Sequence, residues 1–277
     1  MSSQPVFIPV GALADGFAPE SNILAPVDDL YGRTFELAFS DGTRSTLAFA
    51  ADGTVRAAVA TAVATSVATF ACRVTSVRDG MYFIDYVGGG DGTRPSTTSI
   101  VIDVRQGLCT SVTGSLPTES EARLDAFTRV ERGLPLTGVA VQIRHGRIVQ
   151  EGADASAPLH APTTELIGMR NLYTYSPTER YEHIYLNENF YTWQCLAGVE
   201  AGLADVDHCY MIGIARKLTL FVWCEKIVPT LGVVMIDLER MKTDGKIFGY
   251  QGSNFGALSN FPVGAFAQIL NVTRYPE

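Results

Sequence analysis

The chain lacks any run of about 18 apolar residues, the length a helix needs to cross a bilayer. Its opening, MSSQPVFIPVGALADGF, has neither the basic segment nor the apolar stretch of a signal peptide. A soluble, cytoplasmic protein with no membrane partner is expected. Basic clusters are missing as well: 21 Lys and Arg stand against 29 Asp and Glu, for a net charge of −8. Nucleic-acid phosphates are held by grouped Lys and Arg, so no nucleic acid partner is expected. Cysteine is scarce and unpatterned. The five, Cys72, Cys109, Cys195, Cys209 and Cys224, are odd in number and form no C-x-x-C pair, which argues against a disulfide framework or a zinc knuckle. They read as reduced thiols that pack in a core. The four histidines show no H-x-H or H-E-x-x-H spacing, so no metal is expected, and nothing calls for a cofactor. The glycine cluster GGGDG at 88–92 has no strand-to-helix context, so it reads as a hairpin connection and not as a phosphate cradle.

Long helical patterns are also absent, and strand signals take their place. From Val55 to Thr69 the odd positions are nearly all Val or Thr and the even ones mostly Ala, a period of two that predicts strand despite the alanine content. Extended runs follow at MYFIDYV, SIVIDV, LTLFVWCE and GVVMIDL, with Asp-Gly turn signals at Asp41, Asp52, Asp79, Asp91 and Asp244. Regular hairpins of this kind predict an all-β fold of antiparallel barrels.

The chain also repeats itself. LYGRTFELAF from Leu30 matches LIGMRNLYTY from Leu166, and Ile102-Asp103 falls where Ile236-Asp237 falls in the second half. Two copies of one meander are expected, with an N-terminal arm over 1–27, a first domain over 28–150, a linker over 151–164 and a second domain over 165–277. The copies differ in chemistry. Eight of the eleven tyrosines, both tryptophans and three of the four histidines lie in the second half. With Gly32 laid on Gly168, Leu37 and Phe39 occupy the places of Tyr173 and Tyr175, so the first barrel is expected to be apolar inside and the second to carry the site.

LYTYSPTERYEHIYLN, Leu172 to Asn187, concentrates that chemistry. Alternate residues on a strand share a face, so Tyr173 points with Tyr175, Tyr181 with His183 and Tyr185, and Trp223 with Glu225. Turned inward, these faces form an aromatic cage with phenol donors and a carboxyl. A wet surface or a plain core is the competing reading, because a tyrosine also satisfies its hydroxyl by pointing it at water. Glu225 ends the apolar run LTLFVWC, where a carboxylate needs a reason; Lys226 next to it could instead mark a strand end in solvent. His183 and His208 read as pocket or core histidines. The SNFGALSNFPVG segment, 253–264, could form a lid or an ordinary connector.

The segments ELIGMRNLYTYSPTERYEHIYLNENFYTWQCLAG, GLADVDHCY, FVWCEKIVPTLGVVMIDL and GKIFGYQGSNFGALSNFPVGA resemble the MoaF family, whose name refers to molybdenum cofactor biosynthesis. That resemblance implies two calycin, or lipocalin-like, domains. A more distant resemblance links the second half to bacterial phenolic acid decarboxylases, also calycin barrels, through Tyr173-Thr-Tyr175, Tyr181-Glu182, Trp193 with Gly198 and Gly202, and Trp223-Cys-Glu225. It implies that the tyrosine pair and the glutamate are catalytic. The arginine that helps hold substrate in that family is replaced here by Leu203. Together these imply a cofactor-independent acid-base lyase, isomerase or cyclase acting on a phenolic or conjugated hydrophobic compound. Glu225, Tyr173 and Tyr175 would be catalytic, with Tyr181, His183, Tyr185, Trp193, His208 and Trp223 around the ligand. The alternatives are a non-catalytic carrier of a small hydrophobic metabolite and an accessory protein in molybdenum cofactor assembly. A homodimer is expected by analogy with relatives, since open sheet edges and exposed barrel faces often pair.

Overall fold

The computed structural model describes residues 6–150 and 157–274. Part of the expected linker, residues 151–156, therefore lies outside the described residues. Strands make up 53% of the chain, in two closed antiparallel barrels of eight strands each. The first is a simple meander of β1 (Thr34–Phe39), β2 (Arg44–Phe49), β3 (Thr54–Ala60), β4 (Thr65–Arg78), β5 (Met81–Val87), β6 (Ser96–Asp103), β7 (Leu108–Ser115) and β8 (Ala140–Ile148), closed by pairing of β8 with β1. After the two-residue β9 (Ala161–Pro162), the second barrel repeats the order. Its strands are β10 (Met169–Thr174), β11 (Arg180–Tyr185), β12 (Phe190–Ala197), β13 (Ala204–Ala215), β14 (Leu218–Glu225), β15 (Thr230–Asp237), β16 (Lys242–Tyr250) and β17 (Leu258–Val272), with β17 paired to β10. This is the tandem-barrel arrangement that the repeat predicts.

The repeat extends to individual hydrogen bonds. Gly32 and Gly168 both take positive φ, 73° and 83°. Each donates its N–H to the far end of the neighbouring strand, Gly32 to the Phe49 carbonyl and Gly168 to that of Tyr185. Asp103 and Asp237 each accept from the backbone N–H two and three residues on, all at 2.9–3.0 Å, closing the same turn in each copy. Four residues beyond each aspartate the chain enters the left-handed region, at Gly107 (φ 68°) and at Met241 (φ 50°). The second copy holds that turn with a side chain that disfavours it.

Two expectations about local structure are corrected. The Val55–Thr69 stretch is two strands, β3 and β4, and not one. Thr61 and Ala64 close a turn between them, Thr61 N–H to the Ala64 carbonyl at 2.9 Å, so the same alternation runs down one strand and up the next. Asp244-Gly245 is not a turn but sits inside β16, opposite Met235 and Val234. A Cβ on Gly245 would come 2.1 Å from the Val233 carbonyl oxygen, so this glycine serves a close strand approach. GGGDG lies in the β5–β6 connection, and the second half of SNFGALSNFPVG is strand β17.

By compactness the chain divides into two units. One comprises Leu24–Ser115 and Val141–Ala161; the other contains Leu116–Ala140, Pro162 onwards and the described residues up to Ile23. These boundaries differ from the expected 1–27, 28–150 and 165–277. The physical reason is the helix α1 (Val10–Phe17), which is packed on β16 and β17. The segment Leu116–Ala140, with the short helices α2 (Glu119–Ala122) and α3 (Ala126–Glu131), is grouped with the second barrel as well: the Tyr250 hydroxyl donates to the Pro117 carbonyl at 2.7 Å. No helix among the described residues is long and apolar enough to cross a membrane. All five cysteines are free thiols, and four are buried.

The two cores differ as their sequences do. The first barrel is filled mainly by Leu30, Phe35, Leu37, Phe39, Leu47, Phe49, Ile84, Ile100 and Ile102, with Tyr82, Tyr86 and further apolar neighbours. The core of the second is built largely from Tyr173, Tyr175, Tyr181, Tyr185, Tyr191, Trp193, Phe221 and Trp223.

Candidate functional site

β11 and β12 place Tyr181, His183, Tyr191 and Trp193 on the inner wall of the second barrel, and Tyr175 follows directly after β10; β14 adds Trp223 and Glu225, and the β12–β13 turn adds Glu200. They surround a cavity of about 30 Å³, room for one or two water molecules. Its remaining wall is Leu13 and Phe17 of α1, with Ile247. The Phe17 ring lies 4.9 Å from that of Tyr175 and 5.5 Å from that of Tyr181. The helix thus fills the space that the barrel would otherwise leave open.

Local chemistry explains how α1 comes so close. Val10, Leu13 and Phe17 recur at helical spacing and are all buried. A Cβ on Gly11 would meet the Gln251 carbonyl oxygen at 2.5 Å, and one on Gly16 the Val199 side chain at 2.6 Å, so two glycines let the helix settle on the barrel. They also weaken it, and Pro9 at its start offers no side-chain cap. Phe17→Ala is expected to cost about 3 kcal/mol, as for other buried phenylalanines, and to enlarge the cavity. Chemical denaturation checks this; a change below ~0.5 kcal/mol would mean that α1 does not pack there in solution.

The polar groups are tied down by the aromatics. The Trp223 indole donates to Glu225 Oε1 at 2.9 Å and the Trp193 indole to Asp207 Oδ2 at 2.9 Å. The Tyr181 hydroxyl donates to Glu200 Oε2 at 3.1 Å. Glu225 is held well above the ordinary glutamate range, first by burial, then by Asp207 and Glu200, against the opposing hydrogen bonds from Trp223 and Thr230. Burial also raises Asp207, despite Trp193 and Lys226, and raises Glu200, despite Tyr181. His183 is driven down to about 3 by burial. It is therefore a neutral imidazole at physiological pH, and its Nδ1 has no hydrogen-bond partner.

Of the residues expected at the site, Tyr175, Tyr181, His183, Trp193, Trp223 and Glu225 come together on this wall. Tyr173 does not line it. Its hydroxyl pairs with that of Tyr185 at 2.7 Å and accepts from Asn171 at 3.2 Å, so both tyrosines form a hydrogen-bonded layer beside the cavity. Burial raises Tyr173 to about 12. His208 is also misplaced by the sequence reading: it alternates with the buried Asp207 and Cys209 on the other face of β13 and packs against Phe190 and Tyr210. Leu203, where the decarboxylase-like pattern has arginine, is buried in the core.

Tyr191, Glu200, Asp207 and the pair Leu13 and Phe17 were not anticipated. Asp207 is two residues from Cys209 and so on the inward face of β13, and Glu200 sits between Gly198 and Gly202 in the turn already singled out. Gly198 has φ 130°, and a Cβ there would strike the Glu179 carboxylate at 1.8 Å.

Two meander barrels in tandem, the second with a polar aromatic interior and a helix against it, define an all-β tandem-barrel protein. Residues 160–273 match the MoaF C-terminal domain and residues 5–118 the MoaF N-terminal domain. The chain belongs to the MoaF family. Protein MoaF from Klebsiella aerogenes is 49% identical over 279 residues, covering 100% of both chains. A crystal structure described as a beta-lactamase candidate from Burkholderia vietnamiensis overlaps 40% of this chain and 100% of its own, at 11% identity and a TM-score of 0.33, too low to bear on fold or activity.

Proposed function

We propose that the second barrel is a small-molecule site in which Glu225 performs acid-base chemistry on a phenolic or otherwise conjugated compound. One observation carries this reading: a carboxyl on the wall of an aromatic cavity, fixed by an indole N–H and pushed above the ordinary glutamate range by burial. A protonated acid in such a setting can give its proton to one atom of a conjugated system and, once ionised, take one from another. The net result is isomerisation, cyclisation, or addition and elimination of water, with no cofactor. Tyr175 and Tyr181 stand where they can orient a substrate oxygen. Tyr173 can support them only through packing, so its part is positional.

A carrier uses the same cavity, and α1 filling it with Phe17 and Leu13 favours that second reading. The two separate on Glu225→Gln. An enzyme loses roughly 100-fold or more of its turnover while still binding its compound, whereas a carrier has no turnover to lose. An accessory role in molybdenum cofactor biosynthesis, suggested by the family name alone, expects a protein partner and little small-molecule affinity. The defining experiment is a panel of phenolic and conjugated compounds assayed for binding and turnover on wild type and Glu225→Gln.

Leu203 narrows the chemistry. A buried substrate carboxylate needs a fixed cation or several donors, and leucine supplies neither. Purified protein is therefore expected to release no CO2 from p-coumarate or ferulate. Rapid release abolished by Glu225→Ala would show that another group replaces the arginine and that the reaction class is wrong.

A further inference from the structure

The wall of the second-barrel cavity carries acid without a matching cation. Glu225 and Glu200 line it, and Asp207 stands behind the Trp193 indole. No lysine or arginine is among its lining residues. Lys226, next in the chain to Glu225, directs its ammonium to Asp205 and the Val206 carbonyl and lies 3.5 Å from Asp207. Acidic side chains alone would define no ligand, but two independent features stand with them. His183, only 5% exposed, lines the cavity, and its Nδ1 is buried with no hydrogen-bond partner. The rest of the wall is mostly aromatic, with Tyr175, Tyr191, Trp193 and Trp223 beside Leu13 and Ile247.

Each feature calls for the same chemistry. Carboxyls crowded by burial and by one another are relieved by a cation, which makes their ionised forms favourable. Aromatic faces attract a desolvated ammonium through their quadrupoles. An unpartnered imidazole nitrogen, in the tautomer protonated on Nε2, accepts from an N–H donor. A carboxylate ligand would instead add like charge to a wall already short of cations. Phe17 marks where an aromatic body fits, since its ring already lies against Tyr175 and Tyr181.

We infer that the second barrel binds an organic cation, a primary amine on a planar aromatic or conjugated body, with its ammonium toward Glu225 and Glu200 and its ring in the space now held by Phe17. This rests on the reading of that barrel as a small-molecule site and goes further by naming the ligand class. The cavity left beside Phe17 is too small for such a molecule, so binding displaces Phe17, and with it at least the end of α1.

Three near-isosteric probes test this: 2-phenylethylamine, 2-phenylethanol and 3-phenylpropanoate, titrated into the full-length protein and its Phe17→Ala variant by calorimetry and tryptophan fluorescence. The amine is expected to bind at least about ten-fold more tightly than the alcohol, with the propanoate weakest. Phe17→Ala should strengthen all three, and Glu225→Gln should weaken the amine about ten-fold or more while leaving the alcohol unchanged. Equal or tighter binding of the alcohol or the propanoate would overturn the cation inference and leave the site reading standing. If none of the three binds either wild type or Phe17→Ala at millimolar concentration, the small-molecule site itself is wrong.

Discussion

Replacing Glu225 by glutamine should make the protein more stable at neutral and alkaline pH and leave it unchanged in acid. The sign follows from linkage. Folding raises the pKa of this carboxyl far above its ordinary 4.5, so between the two values the folded chain holds a proton that the unfolded chain has released. Stability contributed by the group is then full below the unfolded value and is lost as pH rises through the folded one. Each unit of elevation corresponds to about 1.4 kcal/mol. Asp207 and Glu200, raised in the same direction, give the wild type further slope of the same sign. Glutamine cannot ionise, yet its carbonyl oxygen can still accept from Trp223. Thermal unfolding of wild type and variant from about pH 4 to pH 8 should therefore show a gap that opens with pH. A constant gap, or a variant less stable at the alkaline end, would mean that Glu225 is ionised and compensated in the folded protein. Stabilisation at the expense of function is the pattern expected when a group is retained for chemistry and not for folding.

Gly232→Ala should have the opposite effect, a large loss of stability centred on the site. A Cβ at this position would lie 2.0–2.2 Å from three atoms of the Trp223 indole. The indole is buried and bonded to Glu225, so moving it off the new methyl would break that bond. Overpacking typically costs about 1–3 kcal/mol and sometimes more; loss of a hydrogen bond to the carboxyl adds about 1 kcal/mol, so the upper end is expected. Trp223→Phe in the same chain should recover part of it by removing the benzo ring that the new methyl meets. Denaturant titration of the single and double variants measures both effects. If Gly232→Ala costs under about 0.5 kcal/mol, the indole does not rest on that glycine.

The fold was legible because its signals are local and doubled. Alternation marked strands even through the alanine-rich β3 and β4, and paired motifs such as Gly32 with Gly168 and Asp103 with Asp237 fixed the repeat. What failed was punctuation. An Asp-Gly pair marks a turn when its glycine is needed for positive φ, and at Asp244 the glycine is needed instead for a close backbone approach. Within the site, inward alternation correctly gathered Tyr175, Tyr181, His183, Trp193, Trp223 and Glu225. It could not distinguish Tyr173, which faces the same way but spends its hydroxyl on Tyr185. Histidine chemistry suggests the site for His208, but register does not: the inward Cys209 beside it puts His208 on the other face of the strand. The N-terminal helix leaves little local signal: the spacing of Val10, Leu13 and Phe17 is helical, but two glycines and the missing cap hide it from propensity. Its destination on the second barrel is a long-range fact that no local pattern carries.

The central claim, a protonated glutamate poised in the second barrel, is tested most directly by titrating the protein labelled with 13C at the glutamate side-chain carboxyls and following each by NMR. More than one resonance should titrate above the ordinary glutamate range, because Glu200 is raised as well, and the one displaced furthest should be missing from Glu225→Gln. If every glutamate carboxyl of the wild type titrates within the ordinary range, Glu225 is ionised and compensated in the folded protein and the proposed acid-base site does not exist.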